Sequence, residues 1–197
     1  MNTPWGHAQH VTELAEGILS VSTAGHGGIK LDKKRNAIVP DYMRRAGGWY
    51  EEDCEWSIPA TIFPVSFAKN SPHDIVKMAR DSFRNWYPAD YERYYACAIE
   101  PGESYMRDKE LFERDNAHKW VVISALSTSD GRDRVEYFAS LGGTRGHRGQ
   151  QLHGFLSHEE YDTRGQFGYV LSDQQVEQAD ACTSDSTFRE VDFMVNV

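Results

Sequence analysis

The sequence has only three cysteines, Cys54, Cys97 and Cys182, and they are far apart in the chain. This spacing excludes a Cys-x-x-Cys pair and argues against a sulfur-rich zinc site. The odd number also argues against a disulfide framework, which is typical of small secreted proteins. We therefore expect a protein of a reducing compartment, the cytoplasm.

Long apolar segments are missing as well. No run approaches the roughly 18 apolar residues that a membrane-spanning helix needs. Residues 1–7 contain neither the basic segment nor the apolar stretch of a secretory signal. We expect no membrane helix, no signal peptide and no membrane partner.

Positive charge is scarce, because 21 lysines and arginines face 30 aspartates and glutamates, for a net charge of -9. Such a surface on average repels phosphates, so non-specific binding to nucleic acid is disfavoured. The acidic excess is also modest for a protein that would imitate DNA with its own carboxylates. A local basic patch could still bind a phosphate.

The chain is long enough to bury a core, since 40% of its 197 residues are hydrophobic. Its length is compatible with one compact domain over residues 1–197. The character of the sequence changes near residues 116–119. A motif-bearing part, residues 1–117, and a β-rich part, residues 118–197, could be subdomains of that domain.

The pattern of apolar residues and turn formers predicts an α+β fold. Up to residue 31, short runs predict strands, with a turn at residues 16–17 and a loop over residues 25–28. Asp32 is then predicted to cap a short helical turn, and residues 40–46 are predicted to form another that ends at Gly47 and Gly48. The N-terminal part is therefore predicted to be a group of short strands.

Helical spacing dominates the middle of the chain. Ser71 is predicted to cap one helix, Pro88 to begin a second, and residues 104–117 to form a third. A mostly antiparallel sheet follows. Its predicted strands are residues 120–126, 134–141, 152–156, 167–171 and 188–195, with a capped helical turn at Ser157.

A histidine in a glycine-rich loop is the first candidate for chemistry. In Gly25-His26-Gly27-Gly28 a substrate could approach the backbone, and the imidazole could be a general base or a metal ligand. The alternative is a tight loop in which His26 is held by hydrogen bonds to its surroundings.

Four carboxylates, Glu51, Glu52, Asp53 and Glu55, follow further along the chain. They could coordinate a hard divalent cation, bind arginines or carry acid–base catalysis. The alternative is the solvated first turn of a helix, whose dipole acidic residues stabilise. No spacing matches an established metal signature, so we expect no metal and no cofactor. Catalytic roles are assigned to His26, Glu51, Glu52 and Asp53.

Residues 142–149 form a loop with four glycines, Arg145, His147 and Arg148. Such a loop can present backbone N–H groups and guanidinium groups to a phosphate or a carboxylate. It lacks the lysine and serine or threonine that end a phosphate-binding loop, and a hairpin tip is the alternative. If the protein contacts a nucleotide or nucleic acid, we expect the contact here.

Several motifs in the first third of the chain are distinctive. They are Thr3-Pro4-Trp5-Gly6, His26-Gly27-Gly28, Arg35-Asn36 and Gly47-Gly48-Trp49-Tyr50-Glu51-Glu52-Asp53-Cys54-Glu55-Trp56. In these motifs the chain resembles an uncharacterised domain family of proteobacterial phages, plasmids and integrative elements. The resemblance implies a mobile-element setting without a particular activity. Arg35, Trp49 and Tyr50 are assigned binding roles, whereas Pro59 departs from the family pattern and predicts an interrupted helix.

Three functions are compatible with these features. The first is an accessory protein of a phage or mobile element that binds and modulates a host or defence component, as an anti-defence inhibitor does. The second is a small enzyme that uses His26 with Glu51 or Asp53 on a nucleotide-like substrate. The third is a nucleic-acid-associated module that uses the Arg145 loop. We expect the first, because no catalytic signature is complete.

Overall fold

The computed structural model describes residues 1–69, 74–129, 131–145 and 149–183. Its contacts divide the chain into two compact units, Met1–Asp108 and Lys109–Val197. Each unit has its own four-stranded antiparallel sheet and its own apolar core. The predicted α+β fold is confirmed, while the prediction of one domain with a boundary near residues 116–119 stays a prediction.

The first unit begins with strands, as the sequence predicts. A small hairpin pairs β1 with β2, and the four-stranded sheet has the order β3-β4-β5-β6. The predicted turn at residues 16–17 joins β3 to β4. The strands are β1 (Asn2–Thr3), β2 (Gly6–His7), β3 (His10–Ala15), β4 (Ile18–Ser22), β5 (Gly27–Leu31) and β6 (Trp49–Glu51).

Helices follow and cover one face of this sheet. Ile18, Ile29 and Tyr50 from the strands pack in one core with Ile58 and Phe83 from the helices. The helices of this unit are α1 (Lys33–Asn36), α2 (Ser57–Ile62), α3 (Pro64–Ala68), α4 (Ile75–Trp86) and α5 (Pro88–Tyr95). Helix α6 (Tyr105–Asn116) begins in the first unit and continues into the second. As predicted, Asp32 caps α1 and Pro88 begins α5.

The segment between β5 and α2 contains less helix than the sequence allowed. Residues 40–46 form a single turn, in which the N–H groups of Met43 and Arg44 donate to the carbonyl oxygen of Pro40, and Gly47 and Gly48 follow with positive φ angles of 65° and 71°. Glu51 is not in the first turn of a helix, since it ends strand β6. The helix begins only at Ser57, so Pro59 lies in its first turn and its missing N–H breaks no helical hydrogen bond.

Other predictions need smaller corrections. Gly27 and Gly28 belong to strand β5 and not to a loop. Asp74 caps α4 by accepting a hydrogen bond from the N–H of Lys77 at 3.0 Å, while the predicted cap Ser71 lies outside the described residues.

The second unit contains the predicted antiparallel sheet, in the order β10-β9-β8-β7. Its elements are β7 (Trp120–Ser127), β8 (Arg134–Leu141), β9 (Gln150–Ser157), α7 (His158–Asp162), α8 (Asp173–Gln178) and β10 (Asp180–Thr183). The predicted strand over residues 167–171 is wrong, because Val170 and Gly168 make only isolated bridges, to Val121 and Gly165, and Gly168 turns with a φ of 137°. Residues 188–195 lie outside the described part.

A tryptophan from the N-terminal hairpin covers the centre of the first sheet. A Cβ atom at Gly28 would lie 2.5 Å from Trp5 Cη2 and would overlap the carbonyl oxygen of Tyr50. Trp5 also contacts Trp49 edge to face, with ring centroids 5.6 Å apart. The hairpin is therefore held onto the sheet by a close approach that only glycine allows. Among the described residues, no helix has the length and apolar character needed to cross a membrane.

This packing predicts that Gly28→Ala destabilises the first unit. We expect a loss of about 1–3 kcal/mol in the free energy of unfolding, because the added methyl group overpacks the contact. Urea denaturation followed by tryptophan fluorescence measures it. Gly25→Ala is the matched control, because a Cβ atom there meets nothing within 4 Å. Equal stability of the two variants would contradict the packing.

Candidate functional site

The antiparallel pairing of β5 with β6 brings His26 and the carboxylates together. Gly28 pairs with Glu51, so the beginning of β5 lies beside the end of β6. The N–H of Glu52 donates to the carbonyl oxygen of Gly27 at 3.2 Å and extends this pairing. The loop that carries His26 therefore lies next to Glu51 and Glu52.

Thr23 fixes the backbone of the His26 loop. Its hydroxyl accepts a hydrogen bond from the N–H of His26 at 3.1 Å and donates to the carbonyl oxygen of His26 at 2.8 Å. The N–H of Thr23 donates to the same carbonyl oxygen at 2.7 Å. The His26 side chain is nevertheless 60% exposed. Thr23 therefore fixes the backbone of the loop, and the imidazole of His26 stays accessible to a ligand.

The two oxygens of Glu51 have different environments. Oε2 accepts a hydrogen bond from the N–H of Asp53 at 2.7 Å. Oε1 is buried without a hydrogen-bond partner among the described residues, and it lies 3.9 Å from Nδ1 of His26. A buried carboxylate oxygen without a partner is costly. The arrangement therefore favours a cation or a proton donor between Glu51 and His26.

Glu52 completes a group of three possible metal ligands. A Cβ atom at position 27 would overlap Oε2 of Glu52, so the glycine makes room for this carboxylate against the strand. One ligand atom each from His26, Glu51 and Glu52 lies within 4.8 Å of the others. Two ligands of one zinc or magnesium ion are about 3–4 Å apart, which small side-chain rotations would reach.

Arg45 and Glu55 support the group from the side. Nε of Arg45 donates to Oε1 of Glu55 at 2.6 Å, and Oε2 of Glu55 accepts the N–H of Glu51 at 3.2 Å. Burial lowers the pKa of Arg45, but the hydrogen bond and charge of Glu55 outweigh it and hold this pKa above its ordinary value. Because Glu55 is engaged by Arg45, it acts as a fixed support for the backbone of Glu51.

An apolar groove adjoins the group and shares Glu52 with it. The cavity has a volume of about 370 Å³ and is lined by side chains from the sheet and from helices α3 and α4. Apolar lining residues include Val21, Phe67, Ile75 and Met78. A ligand could therefore place an apolar part in the groove and a polar part at the carboxylates.

Only some of the predicted catalytic residues contribute a side chain to the group. His26, Glu51 and Glu52 come together, whereas Asp53 contributes its backbone N–H to Glu51. The thiol of Cys54 is close to the same carboxylates, and burial together with the charges of Asp53, Glu51 and Glu55 raises its pKa. This thiol is therefore held protonated and is a poor nucleophile.

The predicted binding residues of the first unit are engaged in internal contacts. Trp49 contacts Trp5, and Nζ of Lys30 lies 4.9 Å from the centre of the Trp49 ring. Tyr50 is fully buried and its hydroxyl donates to Oδ1 of Asn36 at 2.7 Å.

Arg35 is likewise engaged within the first unit. Its Nε donates to the carbonyl oxygen of Glu16 at 3.0 Å, and its guanidinium lies 5.2 Å from the centre of the Phe63 ring. The contact with Glu16 holds the turn between β3 and β4. The binding roles of Arg35, Trp49 and Tyr50 stay predictions.

Arg145 lies in the second unit and lines a separate polar cavity together with Arg164. His147 and Arg148 lie outside the described residues. Sequence reasoning missed Arg164, which follows helix α7, and it missed the apolar groove. The groove combines side chains from several distant segments, so no local pattern indicates it.

Comparison with known protein families places residues 1–117 in the family described as Domain of unknown function (DUF7007). The match covers more than half of the chain. The chain belongs to this family. The DUF7007 region contains all three residues of the group and every residue named in the groove. No curated protein and no solved structure matches the chain.

The raised pKa of Cys54 predicts slow alkylation of this thiol. A higher pKa leaves less thiolate at a given pH, so iodoacetamide near pH 7.5 should modify Cys54 at least about threefold more slowly than the exposed Cys97. Peptide mass spectrometry over time measures both rates. In urea the difference should disappear. Faster modification of Cys54 than Cys97 in the folded protein would make it a candidate nucleophile after all.

Proposed function

We propose that the DUF7007 domain is a small hydrolytic enzyme that holds one divalent cation at His26, Glu51 and Glu52. The observation that carries the proposal is Oε1 of Glu51, which is buried, has no hydrogen-bond partner among the described residues and faces an open imidazole. A cation between these groups would satisfy this oxygen. It would also polarise the substrate and activate water for attack.

The donor set indicates which cation fits. One imidazole nitrogen and two carboxylate oxygens suit zinc or manganese better than calcium, which prefers oxygen ligands alone. The exposure of His26 leaves coordination positions for water and substrate. Three protein ligands with open positions are typical of a catalytic metal site and not of a structural one.

The groove indicates the substrate. Its lining is mainly apolar and reaches the group at Glu52, so the part of the substrate beside the reacting bond should be apolar. The internal contacts of Arg35 do not place it beside this group, which gives a phosphate little support here. We therefore favour an ester or amide with an apolar side chain or acyl group over a nucleotide.

Metal binding is the direct test of the site. We expect manganese to bind the wild-type protein, and we expect His26→Ala, Glu51→Gln and Glu52→Gln each to weaken binding about tenfold or more, because each removes one of three ligands. Water-proton relaxation in a manganese titration measures the affinity. Glu13→Gln is the matched control, since Glu13 is an exposed carboxylate on β3.

The outcome also separates a metal site from a simple ion pair of His26 with Glu51. Absence of manganese and zinc binding at about millimolar concentration would overturn the metal site. Affinities that change equally in the control would show a general charge effect. Hydrolysis of chromogenic esters should then require the metal, prefer a longer acyl chain and be lost in Glu51→Gln. A metal-binding protein without activity on esters or amides would retain the site and refute the enzyme.

A second candidate function is binding to a host or defence protein in a phage or mobile-element setting, in the cytoplasm. The observation that favours it is a set of exposed apolar side chains on the helices of the first unit. Val65, Val76 and Trp86 are 68%, 42% and 41% exposed. Exposed apolar side chains can contribute to a protein-binding surface.

This candidate predicts a partner that depends on those helices. Wild-type protein should capture a stoichiometric partner from host lysate, and the double change Val65→Glu and Val76→Glu should abolish the capture by placing charges at the contact. Val11→Glu is the control, because Val11 is 48% exposed on strand β3. The binding surface would be contradicted if the double variant captured as much partner as the Val11→Glu control. It would also be contradicted if the wild-type protein captured no partner. Neither residue of the double change lines the groove, so the two candidate functions are tested separately.

A further inference from the structure

The position of Arg145 is set by the turn that precedes it. Gly143 has a φ of 70°, and its N–H donates to the carbonyl oxygen of Ser140 at 3.1 Å. The hydroxyl of Ser140, a residue that is only 2% exposed, donates to the carbonyl oxygen of Thr144 at 2.9 Å. The backbone that leads into Arg145 is therefore anchored to the end of strand β8.

Arg164 is positioned independently by the end of helix α7. Ser157 and Glu160 form a capping box at the beginning of this helix. Nη1 of Arg164 donates to the carbonyl oxygen of Tyr161 at 3.2 Å and to Oδ1 of Asp162 at 2.9 Å. Its guanidinium lies 4.6 Å from the centre of the Tyr161 ring. Both hydrogen bonds use one nitrogen, so the rest of the guanidinium can meet a ligand.

The two arginines line one cavity with a volume of about 480 Å³. Polar atoms make up most of its wall, which also includes Ser124, Gln166 and Tyr161. This lining is unlike the apolar groove of the first unit. Cavities of this size hold small organic ligands such as mononucleotides.

The local charge of this cavity opposes that of the whole chain. The net charge of the protein is -9, yet two arginines line one polar cavity. Among the described residues, the acidic contact of this pair is Asp162 with Arg164, and its carboxylate is 71% exposed, so solvent weakens the ion pair. A dianionic group would match two guanidinium groups in charge and in hydrogen-bonding geometry.

From these observations we infer that the second unit has a binding site for a small phosphate-bearing molecule, with Arg145 and Arg164 as its two anion-binding residues. A phosphate monoester carries up to two negative charges and several acceptor oxygens, which suits two forked donors. The ring of Tyr161 and the side chains of Ser124 and Gln166 would contact the organic part. This site is separate from the metal site proposed for residues 26–52 and does not depend on it.

Isothermal titration calorimetry of the full chain with AMP tests this inference at low salt. Wild-type protein should bind AMP and inorganic phosphate but not adenosine, because the phosphate supplies the contact with the arginines. Arg145→Gln and Arg164→Gln should each weaken AMP binding about tenfold or more. Arg114→Gln is the matched control, because it removes one positive charge from helix α6, where Arg114 is bonded to Asp115.

Two further variants sharpen the result. Arg145→Lys keeps the charge but not the forked geometry, so it should bind AMP with an affinity between those of wild type and Arg145→Gln. His26→Ala should bind AMP like wild type, which separates this site from the proposed enzyme. Thermal unfolding of each variant checks the fold. Arg145 is exposed, so Arg145→Gln remains informative if Arg164→Gln does not fold.

The opposite results are equally defined. No binding of AMP or phosphate by wild type would overturn the site, and so would adenosine bound as tightly as AMP. An equal loss in Arg145→Gln and Arg114→Gln would reduce the effect to net charge. Succinate, with two carboxylates, checks the anion: tighter binding of succinate than of phosphate would overturn the phosphate ligand. Phosphate bound as tightly as AMP would support the site and assign the affinity to the phosphate group.

Discussion

Gly28 lies opposite Glu51 where β5 pairs with β6, and Trp5 packs against it where a side chain would otherwise be. The contact with Trp5 holds the N-terminal hairpin on the sheet, and the pairing of β5 with β6 sets the side of the sheet on which Glu51 emerges. A shift of one residue would turn Glu51 to the opposite face and break its approach to His26. The site therefore depends on strand pairing, because the carboxylates of Glu51 and Glu52 repel each other when no cation is bound.

The two units differ in the sign of the charged side chains that they bring together. In the first unit, Glu51 and Glu52 converge beside an imidazole and an apolar groove, and Arg45 is fully engaged by Glu55. In the second unit, two arginines line one polar cavity. The acidic average charge thus conceals a cluster of carboxylates in one unit and a pair of arginines in the other. The composition of the chain indicates neither of these clusters, because the net charge is an average over the whole surface and a ligand contacts only one part of it.

The sequence allowed the elements with strong local signals to be predicted. Asp32, Pro88 and Ser157 begin helices as expected, because capping and the fixed φ of proline act within one turn. The prediction failed where distant contacts decide. The acidic run around Glu51 suits a helix start, yet pairing with β5 makes residue 51 the end of a strand. His26 and the carboxylates were predicted as candidates, but their meeting follows from strand register, and the groove follows from helix packing. Neither has a local signal in the sequence.

Gly27 shows how a residue without a side chain can govern a site. Oε2 of Glu52 occupies the space that a methyl group at position 27 would fill. The distance of Glu52 from His26 and Glu51 therefore depends on the absence of a side chain there. The carboxylate of Glu52 packs directly against the backbone of β5. An alanine at position 27 would therefore displace Glu52 from His26 and Glu51, although all three side chains would still be present in the sequence.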